Sequence, residues 1–154
     1  MEELTAALAG LEAPFRTLVD DSKWAHASVE GLVLDVGTWW TADAQTRLTP
    51  QVAFSVAFSE AGRLRGGVYV EGYLWRDGQP VAGAWCGHGD RVVYGPRSEA
   101  YLGIGLSPHF CRRIQQRNGT AAVLMSKHPN LLPLLRDGLP RGAVLPGGRP
   151  GPRA

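Results

Sequence analysis

Apolar residues recur at Leu4, Leu8, Leu11, Phe15 and Leu18, spaced by four, three, four and three, which is one face of a helix. Pro14 falls inside that run, so the spacing predicts two short helices or one kinked helix, ended by Asp20-Asp21-Ser22. The apolar run Val29–Val36 (VEGLVLDV) reads as a short strand or extended core segment, and Gly37-Thr38-Trp39-Trp40 as a turn carrying two large aromatics. From Pro50 the helical pattern returns. Val52, Phe54, Val56, Ala57, Phe58, Ala61 and Leu64 crowd around the axis, which predicts a buried helix with Thr49 as its cap and Gly66-Gly67 as its end.

The pattern then changes period. Val68–Arg76 (VYVEGYLWR) is rich in β-branched and aromatic residues and is followed by Asp77-Gly78, a type I′ hairpin signal. Residues 79–87 supply the partner strand, and Arg91-Val92-Val93-Tyr94 a third after the Gly87-His88-Gly89-Asp90 break. Residues 108–117 read as a short amphipathic helix, 121–125 as a last strand and 130–135 as a final helical turn or two. A buried helix followed by an antiparallel meander is an α+β arrangement. The first 27 residues form an N-terminal helical segment of one domain spanning residues 1–138. Residues 139–154, dense in glycine and proline, are expected to be a disordered tail.

Composition narrows the classes. With 154 residues the chain suits one domain, and 16 basic against 14 acidic residues leave a net charge of +2 without a basic stripe. Nucleic acid is therefore not an expected partner. No apolar run approaches the roughly 18 residues of a membrane span, and two cysteines, Cys86 and Cys111, cannot build a disulfide framework. A reduced cytoplasmic protein without membrane attachment is the expectation. Cys86-x-His88 and His109-x-Cys111 form a conceivable zinc set, but the spacing is not that of the usual zinc motifs. No metal and no cofactor are expected.

The run LVLDVGTWWTADAQTRLTPQVAFSVAFSEAG, then YVEGYLWRDGQPVAGAWCGHGDRVVYGP, then AYLGIGLS resembles small bacterial transglutaminase-like or papain-like proteins. Those carry a cysteine opening a helix, then YVEGY, HAWC or HAWN, VVDPT and an AYFGVPF-like segment. The resemblance spans about Ser28 to Leu139. Its most specific pieces are Tyr69–Tyr73 and Ala84-Trp85-Cys86. It implies a papain/transglutaminase-like fold in which a helix N-terminus favours a thiolate and a histidine and an aspartate follow on strands.

The resemblance also implies where the catalytic groups should stand, and none is there. Ala53 occupies the cysteine position, Gly83 the histidine position and Tyr94 the aspartate position. Alanine and glycine supply neither nucleophile nor base, so thiol protease and transglutaminase chemistry is closed at that site. The expectation is a vacated active site, lined by Ala53, Glu71, Gly83, Trp85 and Tyr94, that binds a small molecule. A non-covalent acid–base reaction of the cyclase or isomerase type is the activity left open. Glu71, among aromatics on a strand, is either a partner-bonded structural carboxylate or a general acid–base group. Turn chemistry accounts for His88 and Asp90, with an acid–base role for His88 as the alternative. His26 and His128 receive no role. The competing expectation is a non-catalytic pseudoenzyme acting as a protein-interaction module, its cues being Trp39-Trp40 and the proline-rich tail.

Overall fold

The computed structural model describes residues 1–19 and 23–154, so the break at Asp20–Ser22 lies outside the described residues. Among the described residues the fold is α+β, with five α-helices and a six-stranded mixed sheet. The order along the chain is α1 (Glu2–Val19), α2 (Val29–Val36), β1 (Thr38–Trp40), β2 (Arg47–Thr49), α3 (Phe54–Arg63), β3 (Val68–Arg76), β4 (Gln79–His88), β5 (Arg91–Pro96), β6 (Ala100–Leu106), α4 (Pro108–Asn118) and α5 (Leu132–Asp137), the last preceded by a 3-10 turn, Pro129–Leu131. The strands lie in the order β1-β6-β3-β4-β5-β2. All neighbours are antiparallel except β2 and β5, which run parallel.

The expected hairpin forms as read. Asp77 and Gly78 both have positive φ, 53° and 75°, which is the type I′ geometry that places Arg76 opposite Gln79. Side chains alternate across β3 and β4. Tyr69, Tyr73, Ala84 and Cys86 face the helices and join Leu4, Leu8, Leu32, Ala57, Phe110 and Leu135 in the main core. Val70, Leu74 and Trp85 face the other way, into a smaller cluster with Trp40, Val92 and Tyr101. At Gly103 a Cβ would stand 2.8 Å from Trp85 Cη2, so only glycine lets that indole lie on the sheet.

Several expectations are corrected. Val29–Val36 is a helix, not a strand: Ser28 adopts extended backbone and its Oγ accepts from Gly31 N–H at 3.1 Å, a serine N-cap that the apolar run concealed. Thr38–Trp40 is a short strand rather than a turn. α1 runs unbroken through Pro14, which is exposed, as is Gly10, whose carbonyl would otherwise have received its missing N–H. Helix α3 begins at Phe54 and buries only Ala57 and Ala61, while Thr49 belongs to β2. Residues 121–125 form no strand; the amide hydrogens of Val123, Leu124 and Met125 go to a side chain described below.

The glycine- and proline-rich C-terminus is packed, not loose. Ser107 N–H donates to Ala143 O and Leu145 N–H to Gly105 O, so the segment continues along β6 where β1 has ended. Arg149 then exchanges two backbone hydrogen bonds with Trp39, at 2.8 and 2.9 Å. A Cβ at Gly147 would collide with the Trp40 ring. The glycines read as disorder signals are there because this strap lies against β1 and an indole.

Candidate functional site

Of the five residues expected to line a vacated site, the structure brings few together. Ala53 is exposed at the N-cap of α3, where the resemblance puts the nucleophile. Tyr94, paired in register with Cys86, packs on the same side of the sheet. Gly83 and Trp85 lie on the opposite side. A Cβ at Gly83 would meet Leu74, and Trp85 is fully buried edge-on against Tyr101, with ring centroids 5.3 Å apart. The three triad positions do not converge.

Tyr94 instead borders a cleft of about 360 Å³ with Arg47, Glu60 and Arg63, floored by Cys86. Its charges satisfy one another. Arg47 pairs with Glu60 at 3.0 Å and stacks 4.1 Å above the Tyr94 ring. Burial pushes the Cys86 thiol up to about 11 and the Cys111 thiol up to about 12, so neither is a thiolate near neutral pH.

Glu71 has a defined task. It is fully buried in β3, and burial pushes its carboxyl up, while four donors pull the other way. Oε2 accepts from Tyr69 OH at 2.5 Å and Val123 N–H at 2.7 Å; Oε1 accepts from Leu124 N–H at 2.7 Å and Met125 N–H at 3.0 Å. Each oxygen receives two donors, so the carboxylate is complete within the protein and pins the chain just before Lys127 and His128. The partner-bonded reading of Glu71 is the one this geometry favours.

The residues that follow this pinned turn form one wall of an apolar groove of about 480 Å³ between the C-terminal half of α1, the start of α2 and residues 127–135. Phe15, Val19, Trp24, Val29, Leu131, Leu132 and Leu135 line it. The backbone ties its ends together: Ala25 N–H donates to Arg136 O and His26 N–H to Leu135 O, each at 2.9 Å. At one end stand Ser28, Glu30, Lys127 and His128. Lys127 Nζ lies 2.8 Å from Glu30 Oε1. Burial works to raise the Glu30 carboxyl, but Lys127, the Glu30 backbone N–H and Ser28 outweigh it and hold the group below its ordinary value. His128 Nδ1 accepts from Asn130 N–H at 3.1 Å, which caps the 3-10 turn and leaves the proton of the neutral ring on Nε2.

Beside the groove lies a polar notch. Arg153 bridges Glu12, at 2.9 Å, and Asp35, whose other oxygen meets His26 Nδ1 at 2.7 Å. His26 and His128, given no role by sequence, thus lie beside and at the groove. Only the placement of His128 directly before Pro129 could have marked it as a cap. No cluster of metal-ligating side chains occurs among the described residues, and no helix among them is long and apolar enough to cross a membrane. No family model, curated protein or solved structure matches the chain.

Proposed function

We propose that this protein binds a small, largely apolar molecule in the groove between α1, α2 and α5, and that it has no thiol-hydrolase chemistry. The observation that carries this reading is the groove itself: apolar walls, a volume of about 480 Å³ and a few polar groups gathered at one end. Small-molecule sites typically measure roughly 300–1,000 Å³ and have this mixture of lining. The succession of α3, β3, β4 and β5, with Ala53 opening the helix, supports a divergent transglutaminase-like frame. Gly83, buried on the sheet face opposite Tyr94, speaks for a ligand site that lies elsewhere than the ancestral one. His128 is the proton carrier at hand, which is compatible with a non-covalent cyclase or isomerase.

The test uses the neutral fluorophore N-phenyl-1-naphthylamine. Saturable, one-site fluorescence enhancement is expected, weakened about tenfold or more by the double substitution Phe15→Gln with Leu132→Gln at half-exposed wall positions. No saturable binding, or a variant that binds as well as the parent, overturns the proposal.

A protein-interaction module is the second reading, favoured by one observation. Leu11, Phe15 and Leu18 expose 48%, 50% and 78% of their surface along one stripe of α1. A concentration-dependent rise in mass by light scattering, abolished by Leu18→Gln, would favour it. A constant monomer mass together with fluorophore binding favours the small-molecule reading.

A further inference from the structure

The polar end of the groove has a preferred charge, and this inference rests on the groove being the ligand site. Three of its acceptors, Glu30 Oε1, Ser28 Oγ and His128 Nδ1, are already engaged. Glu30 is 7% exposed and its Oε1 takes Lys127 Nζ at 2.8 Å. Ser28 Oγ accepts from Gly31 N–H, and His128 Nδ1 accepts from Asn130 N–H. What remains on the groove's polar end is donor capacity. Lys127 is half exposed and has two ammonium hydrogens beyond the one directed at Glu30. The neutral His128 ring carries its proton on Nε2.

An apolar groove ending in unspent donors complements an apolar molecule with an anionic acceptor at its tip. A cationic head would meet the Lys127 ammonium, and a hydroxyl would use only part of the donor set. We propose that the ligand is an apolar carboxylic acid whose hydrocarbon part lies among Phe15, Leu131 and Leu135 and whose carboxylate is held by Lys127 Nζ and His128 Nε2.

Decanoate, 1-decanol and decyltrimethylammonium, matched in chain length, separate the head-group claim from the groove claim by calorimetric titration near neutral pH. Decanoate is expected to bind about tenfold or more tighter than decanol, and the cation weakest. Lys127→Gln should remove the preference for decanoate while decanol affinity stays within about twofold, which also reports that the variant is folded. If decanol binds the parent as tightly as decanoate, and the Phe15→Gln, Leu132→Gln variant weakens both, the carboxylate inference is overturned and the groove stands. If that variant leaves the binding of both unchanged, the groove reading falls as well.

Discussion

Glu71 shows how one side chain organises a remote segment. Its carboxylate collects three amide hydrogens from residues 52 to 54 positions further along and a hydroxyl from Tyr69. Glu71→Gln replaces one accepting oxygen by a donating NH2, so two buried donors lose their acceptor, each at a cost of about 1–3 kcal/mol. At ~2–4 °C per kcal/mol for a chain of this size, the melting temperature should fall by at least about 4 °C. An unchanged melting temperature would show that the carboxylate does not hold the 123–125 turn. The cysteines make a second residue-scale prediction. With thiols raised to about 11 and about 12 by burial, Cys86 and Cys111 should react with iodoacetamide near neutral pH only as fast as the chain unfolds. Modification of Cys86 at the rate of a free peptide thiol would reopen thiol chemistry in the Tyr94 cleft.

Elements were legible where the signal is local. Asp77-Gly78 announces its turn because two adjacent residues must both take positive φ, and β3 to β5 alternate because each has one face in the main core. VEGLVLDV fits a strand or a buried helix equally well by composition, and the deciding group, Ser28, lies outside the run. Ser28→Ala should therefore destabilise the protein by about 0.5–2 kcal/mol in urea unfolding, and Ser28→Asn by clearly less. Remote partners explain the other misreadings. Val123, Leu124 and Met125 give their amides to Glu71, and the C-terminal strap is ordered by backbone bonds to Trp39 and Gly105 that its own composition does not reveal. The same remoteness hid the candidate site: the groove draws on α1, α2 and α5, whereas the resemblance directed attention to α3 and the meander. Gly147→Ala tests the strap. Its methyl would strike the Trp40 ring, and overpacking of this kind costs about 1–3 kcal/mol, whereas a disordered tail would accept it without loss.

Across the whole molecule, ion pairs join parts that few sequence-local contacts connect. Arg153 links the strap to α1 and α2, Arg149 links it to the Asp90 turn, and Lys127 links the groove's far wall to α2. The Lys127–Glu30 pair has the clearest pH signature. Because the Glu30 carboxyl is held below its ordinary 4.5 in the folded protein, its ionised form stabilises the fold above that value. The stabilisation is lost as pH falls through the lower, folded value. Lys127 is half exposed and screened, so the difference between parent and Lys127→Gln should be small near neutral pH, on the order of 1 kcal/mol. It should shrink toward zero on acidification below the ordinary 4.5. The Glu12–Arg153–Asp35 cluster is present in both proteins, so its contribution cancels in the difference. Urea unfolding of the two proteins from neutral to strongly acidic pH measures this gap directly. A gap that stays constant through the acid range would mean that Lys127 acts by packing alone, and that its ammonium is not the charge that fastens residues 127–131 to α2.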